Sequence, residues 1–251
     1  MVLYQYRSVS SPERMQYLFD LLRKGSVRFS APCEFNDPFD CCPTHLSELP
    51  DDAFAHAVGD AMNLGLQAAL SKLLGVWCLT PHPDRMLMWS HYADQHRGVC
   101  VGFDAEVLAR RTPVNDLGRP AFVPVRPVAY MDKRPDADDL DAIFVKSPEW
   151  RYEDECRVVS HRAPGTPAWG PGVWSVPVEA IVDIVFGARM APDKVREIAE
   201  VATDSCPDAS RRVAVPDMKR FGLRIEALSA QPTVGMLQGF VADPAGGWLD
   251  F

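Results

Sequence analysis

Large apolar and polar residues alternate along the opening LYQYRS, which predicts a strand that ends at the serine-proline stretch of residues 10–12. SPERMQYLFDLLRKG follows, with a serine near the N-cap, Pro12 and Glu13 in the first turn, apolar residues at 15, 18, 19 and 22, and a closing Gly25. That pattern predicts a helix with both ends marked. SVRFS reads as a short strand. APCEFNDPFDCC reads as a loop, because two prolines and an Asn-Asp-Pro disfavour helix at its middle.

Residues 51–74 are rich in alanine and leucine and predict a helix, against which Gly59 and Gly65 work. VWCLT is a compact strand, LMWSHYADQHRG a short helix or turn, and GVCVGFD an apolar strand of the buried kind. The proline-rich stretch 112–142 yields one clear strand, PVAYM. In WRYEDECRVVSH alternation predicts a strand with Tyr152, Asp154, Cys156 and Val158 on one face and Glu153, Glu155 and Arg157 on the other. VWSVP and VEAIVDIVFG are further strands, PDKVREIAEVA an amphipathic helix, and RRVAVPDM and LRIEALS the last strands. Strands mixed irregularly with helices, with no repeat and no clean linker, predict an α+β fold. It would form one domain over residues 1–230 on mainly antiparallel sheet with flanking helices, followed by a glycine-rich, partly ordered tail at 231–251.

Composition narrows the function classes. No stretch approaches the roughly 20 apolar residues of a membrane span, and the N-terminus lacks the pattern of a signal peptide, so a cytoplasmic protein without a membrane partner is expected. A formal net charge of −8 argues against coating nucleic acid through a general field, while a local basic patch remains able to hold a strand. The seven cysteines include no C-x-x-C pair, so reduced thiols are expected rather than a structural zinc site.

Several residues are candidates for chemistry. Glu153 and Glu155 put like charges close together, with Arg151 and Arg157 available as counter-ions; the pattern fits either a solvated, salt-bridged strand face or a tuned carboxylate pair. Arg7 is either a phosphate-binding guanidinium or a surface arginine of an edge strand. Thr80 ends its strand, where its hydroxyl meets a ligand or its own turn. Trp89 and Tyr92 share a helical face, as a core stripe or as a pocket wall. His91 and His96, five residues apart, are poorly spaced for one metal ion, and no metal is expected. FNDPFD reads as a rigid turn pinned by Phe35 and Phe39 and able to form one wall of a cleft. No phosphate loop, dinucleotide fingerprint or nucleophile elbow is present.

Taken in order, LYQYRS, RKGSVRFSAPCEFNDPFDC, VWCLT, MWSHYADQHRGVCVGFD and KSPEWRYEDECRVV resemble the bacterial family called domain of unknown function 2971, over roughly residues 3–190. Some of its members are named abortive-infection proteins. A more distant resemblance is to the ADP-ribosyltransferases, in which a first-strand arginine, a later serine or threonine and a Glu-x-Glu glutamate form the site. It implies Glu155 as the essential glutamate with Glu153 before it, and Arg7 and Thr80 on the dinucleotide. Leu79-Thr80-Pro81 departs from that family's Ser-Thr-Ser. On this resemblance the protein is expected to use NAD as a substrate and to modify a protein or nucleic-acid acceptor, or to hydrolyse NAD, within a toxin or antiphage defence system. Trp89, His91, Tyr92 and His96 would then shape the pocket. Two alternatives stand beside it: a non-enzymatic module that binds a nucleotide or a partner, and a metal-dependent nuclease using His91, His96 and the two glutamates.

Overall fold

A computed structural model describes residues 1–43, 53–110, 122–136, 141–161 and 170–228. Its strands are β1 (Val2–Arg7), β2 (Ser26–Phe29), β3 (Leu74–Leu79), β4 (Val99–Asp104), β5 (Phe122–Pro127), β6 (Ala129–Tyr130), β7 (Val145–Lys146), β8 (Cys156–His161), β9 (Gly172–Ser175), β10 (Ile181–Phe186), β11 (Ser210–Pro216) and β12 (Leu223–Ala227). Its helices are α1 (Pro12–Lys24), α2 (Ala53–Leu73), α3 (Met86–Tyr92), α4 (Ala105–Arg110) and α5 (Pro192–Ser205). The fold is mixed α+β, and most strand pairs are antiparallel. The predicted tail at 231–251 lies outside the described residues.

The elements fall into two compact units whose segments interleave along the chain. One unit takes residues 2–23, 83–104 and those from 181 onward; the other takes Met1, 24–82 and 105–180. This threading explains why no linker is visible in the sequence: the chain passes from one unit to the other inside ordinary connections.

The five-stranded unit carries the order β1-β4-β10-β11-β12. All neighbours are antiparallel except β10 and β11, which run parallel and are joined by α5, as a parallel pair requires a crossover. Leu3, Val99, Val101, Phe103, Ile184 and Phe186 are buried here, as are Leu18, Leu21 and Leu22 of α1 and Val195 and Ile198 of α5. Ser11 marks the start of α1: its Oγ accepts from the Arg14 N–H at 3.3 Å. A polar knot crosses the sheet. The Tyr4 hydroxyl donates to Asp183 Oδ2 at 3.0 Å, and Arg212 donates to the same carboxylate and to the Tyr4 oxygen. Burial and the Asp183 charge push the Tyr4 phenol up to about 12, so it remains a hydrogen donor.

The three-stranded unit holds the sheet β3-β8-β5, the pairs β2-β9 and β6-β7, and helices α2 and α4. A bridge between Ser30 and Val76 links the end of β2 to β3. Cys41, Val76, Phe144 and Val159 form its apolar centre.

Three expectations are corrected in this unit. Residues 150–155 do not form a strand. Pro148–Glu153 is a 3-10 turn opened by Ser147, whose hydroxyl accepts from the Glu149 N–H at 3.5 Å, and closed by Asp154 at φ +45°. Pro148 presets the turn's backbone, and β8 begins only at Cys156. Secondly, β5 lies in the stretch for which only PVAYM was predicted, of which Pro127 ends β5 and Ala129–Tyr130 form β6. Thirdly, of the two phenylalanines expected to pin the FNDPFD loop, Phe35 packs against the apolar centre but Phe39 is 62% exposed, while Asp37 and Asp40 are buried. The loop is held by Phe35 and its polar side chains.

Candidate functional site

The polar groups of the three-stranded unit converge on Arg157, the second residue of β8, which is fully buried. Its Nη2 donates to both Asp40 oxygens at 2.7 and 2.8 Å, and its Nε to Glu155 Oε1 at 2.7 Å. Its Nη1 donates to the Ile143 carbonyl at 2.6 Å and lies 3.2 Å from Cys41 Sγ. Lys146, at the end of β7, completes the network. Its Nζ reaches Glu153 Oε2 at 2.6 Å, Glu155 Oε2 at 3.0 Å and Asp40 Oδ2 at 3.4 Å, and it sits 4.9 Å from the centre of the Trp150 ring.

All five charged residues are at least nine-tenths buried, which overturns the reading of a solvated strand face. The two glutamates do stand close, but through the 3-10 turn rather than strand alternation. Arg157 supplies one cation as expected. Arg151 does not supply the other: it is exposed and leans on the Tyr130 ring, and Lys146 takes its place.

Electrostatics follows from this geometry. Burial pushes the Glu155 carboxyl up, but Arg157 and Lys146 outweigh burial and hold it at about 2, ionised at neutral pH. Burial alone would lower Lys146, yet Glu155, Asp40 and Glu153 raise it above the ordinary lysine range. The Cys41 thiol is pushed up by burial, ahead of the opposing pull of Arg157, and is a poor nucleophile. Glu155 is also positioned through its backbone: its N–H donates to the Tyr130 hydroxyl at 2.8 Å and its carbonyl accepts from Val128 at 2.8 Å.

Thr80 follows the end of β3, where Cys78 pairs with Arg157 and Leu79 with Cys156. Thr80 is buried, and its hydroxyl accepts from the His82 N–H at 3.3 Å. The His82 ring in turn meets the Asp154 carboxylate at 2.9 Å, at the exposed rim. Thr80, Glu153 and Glu155 therefore gather in one unit, and sequence reasoning missed their partners Lys146 and Asp40.

Arg7, Trp89, His91, Tyr92 and His96 belong to the five-stranded unit. Trp89 is fully buried: the Tyr6 ring meets its face edge-on at 5.1 Å, the His96 ring lies nearly parallel to it at 6.3 Å, and its Nε1 donates to the Pro83 carbonyl. Of the two roles the sequence leaves open for Trp89, core stripe or pocket wall, its full burial favours the core, where it backs His96. After α3, three successive non-glycine residues, Asp94, Gln95 and His96, take φ of 50°, 51° and 70°. Each costs on the order of 1 kcal/mol, a strain that concentrates at sites held for function. The turn is locked by Gly98 N–H to the Ala93 carbonyl at 2.8 Å and His96 N–H to the Trp89 carbonyl at 3.1 Å.

His96 meets Ser90 Oγ at 3.2 Å, and burial, then Arg189, lowers its pKa, so the ring is kept neutral. His91 is exposed, with its ring against that of Tyr92. Arg7 ends β1 beside this turn and donates to Gln5 Oε1 at 2.9 Å. Gly98 is needed at this approach, because a Cβ there would lie 2.2 Å from the Arg7 carbonyl oxygen. Gly98→Ala is expected to cost about 1–3 kcal/mol in a urea melt, the usual penalty of overpacking.

The chain is thus a mixed α+β protein with a buried ion network in one unit and an arginine-histidine edge in the other, and no described helix is long and apolar enough to cross a membrane. The model of the family described as "Protein of unknown function (DUF2971)" matches residues 88–145, from α3 to the strand that carries Lys146, and supports assigning the chain to that family. No curated protein and no solved structure matches the chain.

Proposed function

We propose that the protein binds NAD at the arginine-histidine edge of the five-stranded unit and turns it over, as an ADP-ribosyltransferase or an NAD hydrolase of a toxin or antiphage system. The observation that carries this reading is Arg7. Its guanidinium is half-buried, burial pulls it down to about 10, and among the described residues it forms no ion pair, only the bond to the neutral Gln5 amide. A guanidinium without a counter-charge is destabilised until an anion meets it, and its planar fork suits a phosphate. His96, neutral and fixed against Trp89, is suited to an amide or a ring edge of the same ligand.

The chemistry asks for a carboxylate near the ribose. Cleavage of the nicotinamide–ribose bond develops positive charge on the sugar, which an ionised carboxylate stabilises more than the ground state; the resemblance to the ADP-ribosyltransferases gives that role to Glu155. Thr80, which follows the end of β3, is the hydroxyl that the same resemblance assigns to the dinucleotide.

A second reading is favoured by a separate observation. The Glu155 oxygens accept from Arg157 Nε, Arg157 Nη2 and Lys146 Nζ, which takes up most of a carboxylate's roughly four acceptor positions. In that reading Glu155 is a structural anion and the protein binds the dinucleotide without consuming it.

Calorimetric titration of NAD into the protein and its Arg7→Gln variant tests the binding. Loss of a charged hydrogen bond to phosphate predicts affinity lower by about 10- to 100-fold in the variant; equal affinities, or no binding to either, would remove the proposal. Release of nicotinamide, followed beside Thr80→Ala and Glu155→Gln with melting checked for each, separates the two readings. Turnover lost in folded variants supports the enzyme, and tight binding without product supports the module.

A further inference from the structure

One edge of the five-stranded sheet gathers several cations of its unit. Register places Arg7 opposite Val99, Val99 opposite Phe186 and Phe186 opposite Val213, so these residues lie at one level across β1, β4, β10 and β11. Beyond that level come the left-handed turn with His96 and Arg97, the Gly187–Met190 turn with Arg189, and the β11-β12 hairpin. The Arg189 N–H donates to the His96 carbonyl at 2.9 Å, which ties two of these turns together. β11 runs three residues past Val213 before it turns, so the hairpin projects about 10 Å ahead of the edge and about 14 Å to the side of Arg7, at ordinary strand spacings.

The hairpin tip is a rigid finger. Asp217 Oδ1 accepts from the Lys219 N–H at 2.7 Å and the Arg220 N–H at 3.1 Å, and the Asp217 N–H donates to the Gly222 carbonyl at 2.9 Å. The side chains it presents are Met218, Lys219, Arg220 and Phe221, with Met218 83% exposed and Phe221 wholly exposed. Across the four segments at this edge, Arg7, Arg97, Arg189, Lys219, Arg220 and Arg224 stand against three carboxylates, Asp94, Asp217 and Glu226, the last of which meets Arg224 at 3.0 Å. Asp217 is already spent on its own turn. Among the described residues, Arg7, Arg97, Lys219 and Arg220 form no ion pair; Arg97 bonds the neutral amide of Gln95. In a chain of net charge −8, this is a local reversal of sign.

We infer that this edge binds a single strand of nucleic acid, with Phe221 stacking on a base, Lys219 and Arg220 on flanking phosphates, and the recessed Arg7, Arg97 and Arg189 on the phosphates that follow. A row of cations with an exposed aromatic is what a flexible polyanion with flat bases requires. A bilayer surface fits less well, because a flat surface meets the fingertip alone and leaves the cations about 10 Å behind it unused. The inference stands without the NAD reading, since strand binding needs no dinucleotide; if both hold, the strand is the acceptor.

The test is fluorescence anisotropy of a short labelled oligouridylate, without NAD, across a salt series. The unmodified chain is expected to bind at low salt and to weaken steeply between about 50 and 200 mM. Lys219→Glu with Arg220→Glu should weaken binding at least about tenfold and flatten the salt dependence, because two phosphate contacts are lost. Phe221→Ala should weaken it by about 5- to 150-fold at an unchanged salt slope, the signature of lost stacking. Arg110→Glu, exposed on α4 in the other unit, should change nothing. Failure to bind the strand at low salt would overturn the inference. So would an equal loss in Arg110→Glu, or capture of phosphatidylserine vesicles by a chain that ignores the strand.

Discussion

Replacing Arg157 with leucine is expected to lower the free energy of unfolding by about 3–5 kcal/mol, the usual result of removing one partner from a buried ion network. The substitution removes hydrogen bonds to Asp40, Glu155 and the Ile143 carbonyl at once. It leaves Lys146 facing three buried carboxylates, Asp40, Glu153 and Glu155, and the apolar gain of leucine does not offset their desolvation. Arg157→Lys should rescue little. A single ammonium cannot reproduce a fork that holds both Asp40 oxygens on one side and Glu155 on the other. Urea unfolding at neutral pH measures both variants; a loss below about 1 kcal/mol for the leucine variant would mean that the network is held together some other way.

Acid should dismantle the same network. Glu155 is held at about 2 in the folded chain, below its ordinary 4.5, so its contribution is fully present above about 4.5 and is lost as pH falls towards 2. The unfolded chain takes up the proton first, and stability declines through that window by on the order of 2–3 kcal/mol. Denaturant midpoints collected from pH 6 down to pH 2.5 should show the decline in the native protein and a shallower one in Glu155→Gln; parallel curves would remove Glu155 as the group responsible.

The elements that were legible in the sequence are those whose signals are local. Ser11, Pro12 and Gly25 marked the ends of α1, and the apolar runs of β4 and β10 marked central strands. Glu155 and Arg157 drew attention because their charges crowd one short segment. The rest was illegible for a physical reason: a buried ion network has no period. Asp40 comes from a loop read as a rigid turn, and Lys146 sits in FVKSP with nothing around it to indicate a charge that would be buried. The pairing of β7 with β6, whose Tyr130 bonds Glu155, brings Lys146 there, and the Arg157 fork brings Asp40. The 3-10 turn after Ser147 was itself hidden, because WRYEDECR alternates well enough to imitate a strand. For Trp89 the sequence left two roles open, because an aromatic beside two histidines suits a core stripe as well as a pocket wall; only its burial beneath His96 separates them.

The interleaving of the two units carries a consequence for synthesis. β1 emerges first from the ribosome, but its neighbour β4 is made only at residues 99–104 and β4's other neighbour at 181–186. No contiguous stretch of the chain corresponds to either unit, so neither is able to fold as an autonomous nascent domain. Native pairing waits on distant segments, which predicts slow, high-contact-order folding and a long interval in which apolar strands such as VCVGF stand unpartnered. Truncated forms that lack β4 or β10 should therefore be insoluble rather than partly folded.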